Sequence, residues 1–180
     1  MNLRRRVAAV LAAVALTCAP VLTGSSLTGS TPTAAAAEAV TNARLYNMAT
    51  GLCVANPLSD QDKGTVMFQY TCSNSDSNYW SLQPMTGGGY HVVNKASGQC
   101  LAIPGGVKDT KLKAIQWPCQ QTQNDEQVWY HDELDQLRNA QSGLCLAILG
   151  SDPTPKVEVG QWTCDALTTA TPNPDRQWLW

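Results

Sequence analysis

Three stretches decide the fold: NMATGLCVA at residues 47–55, NKASGQCLA at 94–102 and NAQSGLCLA at 139–147. Each places an asparagine four positions before a glycine, and that glycine two before a cysteine. Working outward, a second cysteine follows the first by 19 positions in every copy, preceded by QYT at 69–71, QWP at 116–118 or QWT at 161–163. Each copy then closes on a tryptophan, Trp80, Trp129 or Trp178, at intervals of 49 and 49. Self-similarity at a fixed period marks a repeat architecture, in which units bury their apolar faces against one another. The copies run over about 43–86, 87–134 and 135–180.

The chain is 180 residues long, with room for one ordinary domain. Its first 37 residues read as a secretory signal peptide. Arg4, Arg5 and Arg6 precede an apolar run from Val7 to Leu16, and the small residues Ala35 and Ala37 suit cleavage before Glu38. A retained membrane anchor is the competing reading, but Val7 to Leu22 is short for a span and holds Thr17, Cys18 and Pro20. The arginines also resemble a twin-arginine export signal. Cys18 could be a lipoprotein cysteine, for which Thr17 is a poor preceding residue. Residues 38–42 then form a short linker, and the protein is expected to be secreted.

Of the seven cysteines, six lie beyond that segment, an even number suited to an oxidising compartment. Internal repetition favours the pairing that treats each copy alike: Cys53–Cys72, Cys100–Cys119 and Cys145–Cys164. Each closes a loop of about 20 residues, worth roughly 3 kcal/mol in the chain-entropy account of disulfides.

Beyond the first 37 residues, 9 Lys/Arg face 14 Asp/Glu, a net charge of −5 (9 minus 14, histidines neutral). That balance gives no basic footprint for nucleic acid and no polybasic patch for an anionic membrane surface.

The N-x-x-[ST]-G segments read as turns, with Gly51, Gly98 and Gly143 free to adopt positive φ. After each comes a short apolar run, a polar Gly/Pro/Asp-rich loop and a second run such as VMFQY, KAIQW or VEVGQW. With the tryptophan segment and the one entering the next turn, this predicts four short strands per copy, twelve in all. No stretch has a helical period, so the class is all-β. A propeller needs at least four blades, and three copies are too few. Three four-stranded units closing around one axis remain.

The motif G-x-C-[LV], the aromatic two before the second cysteine and the terminal Q-x-W resemble the ricin B-type lectin repeat, from about Ala43 to Trp180. The resemblance implies a β-trefoil, a secreted non-catalytic module that recognises a glycan or polysaccharide, with no cofactor or metal, and a monomer. Q-x-W is complete in Gln127-Val128-Trp129. Copy one has Asn78-Tyr79-Trp80 and copy three Arg176-Gln177-Trp178. In the family this tryptophan is core, so Trp80, Trp129 and Trp178 are expected inside.

The family's sugar site combines an Asp two after the first cysteine, the aromatic two before the second, and an Asn before the Q-x-W glutamine. The aromatic face stacks on the C–H face of a sugar, while the carboxylate and amide bond its hydroxyls. Here the aromatic is Tyr70, Trp117 or Trp162. The Asp is replaced by Ala55, Ala102 and Ala147, and the Asn by Ser77, Glu126 and Asp175. The resemblance thus gives carbohydrate-binding candidates Tyr70, Trp117, Glu126, Trp162 and Asp175, in a geometry without the family's Asp. Packing over the adjacent disulfide is the competing reading for the aromatics, and an ordinary solvated loop acid for Glu126 and Asp175. Gln69, Gln116 and Gln161 alternate with the aromatics and so face the other way, towards a structural hydrogen-bonding role.

No catalytic constellation is recognisable. His91 and His131 accompany no nucleophile motif, and the cysteines are committed to disulfides rather than metal. The acid pairs Asp125-Glu126 and Asp132-Glu133 read as loop acids before glycosidase acids. Gly87-Gly88-Gly89 reads as a hairpin between repeats. Besides a lectin, a trefoil interaction factor such as a secreted protease inhibitor remains open, and a hydrolase is the least supported.

Overall fold

The structure, a computed structural model, describes residues 38–122 and 124–180. The signal peptide expected over 1–37 lies outside the described residues. Copy one contributes β1 (Val40–Ala43), β2 (Tyr46–Asn47), β3 (Cys53–Ala55), β4 (Phe68–Tyr70) and β5 (Trp80–Pro84). Copy two contributes β6 (Tyr90–Asn94), β7 (Cys100–Ala102), β8 (Ile115–Trp117) and β9 (Val128–His131). Copy three contributes β10 (Leu137–Asn139), β11 (Cys145–Ile148), β12 (Val159–Trp162) and β13 (Trp178–Leu179).

These are thirteen strands among the described residues rather than the expected twelve, because the first strand of copy one is split. Asn42 takes a φ of 51°, and Val40 and Ala43 face Leu82 and Trp80, one residue more on β1 than on β5. A bulge of this kind bends a strand. It also corrects the linker expected over 38–42, since β1 begins at Val40 and pairs with β5.

First and fourth strands close a ring. β5 pairs with β1 and β6, and β9 with β6 and β10. β13 returns to β2 with Trp178 opposite Asn47, while a bridge from Gln136 to Gln177 joins it to the start of β10. The second and third strands form three hairpins, β3–β4, β7–β8 and β11–β12. They meet at the three-fold axis. Met67 N–H donates to the Ala114 carbonyl (2.9 Å), Ala114 N–H to Val159 (2.9 Å), and Val159 N–H to Met67 (3.1 Å). This is the β-trefoil that the family resemblance implies.

The core is layered by threes. Leu45, Val92 and Leu137 share a repeat position, as do Val54, Leu101 and Leu146, and all are fully buried with Trp80, Trp129 and Trp178. Each indole Nε1–H donates to the carbonyl just after the first cysteine: Val54, Leu101 and Leu146, all at 2.9 Å. A buried indole N–H needs such an acceptor. The disulfides pair as the repeat predicts, one within each copy.

The turns are locked by their own asparagines. Asn47, Asn94 and Asn139 accept from backbone N–H groups of their turns and donate Nδ2 to carbonyls of the segment before the closing tryptophan of the preceding copy. Gly51, Gly98 and Gly143 take φ of 66°, 67° and 72°, the left-handed region that glycine enters without a Cβ penalty.

Candidate functional site

On each hairpin ladder the aromatic stands opposite the first cysteine: Tyr70 across from Cys53, Trp117 from Cys100 and Trp162 from Cys145. Two residues along on the same face, Ala55 is paired with Phe68 and Ala102 with Ile115. The glutamine between points to the other face, where it is fully buried. Its amide clamps a loop of a neighbouring copy. Gln69 Nε2 donates to the carbonyls of Asp152 and Thr154, Gln116 to Asp60 and Asp62, and Gln161 to Val107 and Asp109. The structural role expected for these glutamines is therefore present, and it runs between copies.

Three clefts open at the same repeat position. The first, about 430 Å³, lies between Tyr70 and the serines Ser73, Ser75 and Ser77, with Ala55 in its wall. The second, about 140 Å³, holds Trp117, Glu126, Ala102 and Ile115. The third, about 260 Å³, holds Trp162, Asp175, Ser151 and Arg176. Every candidate site residue thus lines the cleft of its own copy: Tyr70 in the first, Trp117 with Glu126 in the second, Trp162 with Asp175 in the third. Tyr70 is 40% exposed, and Trp117 and Trp162 are half-buried, so packing and an open ring face coexist at these positions.

Asp175 departs from the reading as a solvated loop acid. It is buried, its Oδ2 accepts from the Ser151 hydroxyl, and its Oδ1 lies 3.3 Å from Arg176 Nε. Arg176 also bonds Asp165 at 2.9 Å. The carboxylate is held in place by a neighbouring cation and a hydroxyl, and its Oδ1, buried beside Arg176, has no hydrogen bond. Glu126 is half-buried, beside an Asn124 side chain that accepts from its N–H.

Sequence reasoning missed one element of the sites. A lysine from the loop of a neighbouring copy reaches each cleft. Lys63 of copy one stands 5.2 Å from the ring centroid of Trp117, and Lys111 of copy two stands 5.5 Å from that of Trp162. Lys156 of copy three lies in the wall of the first cleft with Tyr70. A signal was available, since each lysine follows the first cysteine of its own copy by ten or eleven positions. Its meaning depends on which cleft the loop meets, and the glutamine clamps set that.

His91 lies elsewhere. It is buried against the Cys100–Cys119 disulfide with Nε2 unbonded, and burial pushes its imidazole below the ordinary value. His131 stacks on Trp180 with centroids 4.3 Å apart, and burial lowers it against the opposing pull of Asp135 and Asp132. Neither histidine faces a cleft that holds a repeat aromatic.

The profile of the ricin-type beta-trefoil lectin domain matches residues 41–178. The chain belongs to this family. No curated protein sequence matches this family member at a significant level. Among solved structures it is similar to ThreeFoil, a designed three-fold symmetric protein, with 22% identity, a TM-score of 0.67, and coverage of 75% of this chain and 94% of that one. It is also similar to the C-terminal half of the earthworm R-type lectin, described in complex with GalNAc (10% identity, TM-score 0.60, coverage 77% and 96%). The agglutinin of Rhizoctonia solani is a third such structure (16% identity, TM-score 0.61, coverage 82% and 96%). At these identities the structural likeness shows the β-trefoil fold. The family membership is what makes this a ricin-type lectin domain, a non-catalytic carbohydrate-binding module. Among the described residues no helix is long and apolar enough to cross a membrane.

Proposed function

We propose that the protein is a secreted, monomeric lectin that binds polysaccharide through the three repeat clefts. The observation that carries the reading is the recurrence of one cleft in all three copies, each with its aromatic in the wall. Ring faces at these positions stack on the C–H face of a pyranose. Polar groups bordering them, the serines in the first cleft and the carboxylates in the others, bond its hydroxyls. The earthworm lectin half, described with GalNAc, supports a sugar as the ligand class. Because Ala55, Ala102 and Ala147 replace the family's Asp, the first cleft engages hydroxyls without a carboxylate, whereas Glu126 and Asp175 supply one from the opposite wall.

The test is a binding screen of the mature protein on soluble glycans and insoluble polysaccharides, beside the triple variant Tyr70→Ala/Trp117→Ala/Trp162→Ala. Binding by the parent and its loss in a folded triple variant is the expected result. On a polymer the loss should exceed that of the single variants combined, since linked weak sites act through effective concentration. A parent that binds no glycan would make the interaction-factor reading the better one. Export is tested by intact mass of secreted material, expected to begin near Glu38 with no free thiol.

A further inference from the structure

Leu58, Gly105 and Gly150 share one repeat position, in the turn beside each cleft, and take φ of 52°, 64° and 74°. Glycine adopts this left-handed conformation freely, whereas a leucine is strained there. Leu58 is also fully exposed, so burial offsets none of that strain. Strain held at the mouth of a cleft points to a use for the side chain there. Leu58 and Tyr70 both line the first cleft, which therefore has an aliphatic group and an aromatic ring where the other two have a glycine and an indole.

The charge of the first cleft differs as well. Glu126 accompanies Lys63 at the second, and Asp175 with its partner Arg176 accompanies Lys111 at the third. The wall of the first contains Lys156 and no carboxylate. Among the described residues Lys156 makes no ion pair. Its backbone is fixed, with N–H donating to the Gln69 carbonyl at 2.8 Å while the Gln69 amide holds Asp152 and Thr154 of the same loop. Lys156 is thus delivered to the wall of the cleft by the buried clamp. The hydroxyls of Ser73, Ser75 and Ser77 line the same cleft; Ser73 donates to Asn78 Oδ1 and Ser77 to Ser75, which leaves oxygen lone pairs and the Ser75 proton for a ligand.

We propose that the first cleft is specific for an acidic sugar, with a uronate carboxylate on Lys156 and the pyranose ring against Leu58 and Tyr70. This rests on the lectin reading above and narrows its ligand. The uncompensated cation draws a carboxylate, the apolar pair covers the C–H faces, and the serines bond the remaining hydroxyls. The other two clefts, each with its own acid, take neutral units of the same polymer.

The experiment measures binding of the mature chain to polygalacturonate, alginate and glucuronoxylan, each beside its carboxyl-reduced form, in which the uronate becomes a neutral hexose. At least one acidic polymer should bind about two- to fivefold tighter than its reduced form, the range an exposed ion pair supports. Added salt should shrink that difference. Lys156→Gln should abolish the difference between the two forms, while Lys63→Gln should leave it intact. Leu58→Gly should weaken both forms with no fall in melting temperature, because it relieves backbone strain. Equal binding of every polymer and its reduced form overturns the acidic-sugar proposal and leaves the lectin reading standing. A preference that survives Lys156→Gln also overturns it, and binding to no polymer at all removes both.

Discussion

The indole N–H of Trp129 donates to the carbonyl of Leu101 at 2.9 Å, deep in the core. Sixteen residues beyond Leu101, Trp117 lines a cleft under Lys63 with part of its ring open to solvent. The two tryptophans share a chemistry and differ in place. Trp129→Ala should cost about 3–5 kcal/mol of stability, as large aromatic truncations in cores do. Trp117→Ala should leave the melting temperature nearly unchanged and weaken polysaccharide binding. Thermal melts beside affinity measurements check the pair, and unfolding by Trp117→Ala would assign that residue to packing.

The glutamine clamps predict a local loosening. Gln116→Ala removes two donors from the carbonyls of Asp60 and Asp62 and the acceptor of the Ser97 hydroxyl. Leaving such groups unpaired costs about 1–3 kcal/mol. Hydrogen exchange should show the lost protection centred on residues 60–65 of copy one, in a different repeat from the substitution. Loss confined to the second copy would contradict the inter-repeat clamp.

Deleting Arg176 to Trp180 takes away β13, which closes the ring by pairing with β2, and with it the buried Trp178. An opened ring exposes unpaired strand edges. The truncated chain should fail to accumulate as folded secreted protein, and a truncated form that melts like the parent would refute closure through Trp178 and Asn47.

Buried His91 predicts an acid-side slope in stability. Burial holds its folded pKa below the ordinary 6.5. As pH falls, the unfolded chain therefore takes up the proton first. Stability is complete above about pH 6.5 and declines as pH drops from there towards the lowered folded value. His131 acts in the same direction. Denaturant melts between about pH 5 and 7 should show this decline, shallower in His91→Gln. A slope unchanged by that substitution would mean that His91 does not contribute.

Much of this protein was legible along the chain. Cysteine spacing, the asparagine turns and the recurring tryptophans each depend on residues a few positions apart, or on one period repeated three times. Local geometry and symmetry therefore determined the disulfides and most of the strand pattern, while the burial of the tryptophans followed from the family resemblance. That Tyr70, Trp117 and Trp162 face away from the glutamines followed from alternation, whereas the part of each ring left open to solvent did not. What the chain alone did not determine is which loop meets which cleft. Lys156 stands 86 residues beyond Tyr70, and only closure of the ring, with Gln69 gripping the 152–154 loop, brings the third copy to the first. The burial of Asp175 is equally tertiary, because Ser151 meets it from a turn 24 residues earlier. The bulge inside β1, where Asn42 takes a positive φ opposite β5, is likewise a feature of the strand pairing. Sequence determined the unit and its repetition, since those are short-range; the tertiary structure alone decided the charge of each cleft, since every one is completed by a neighbouring copy.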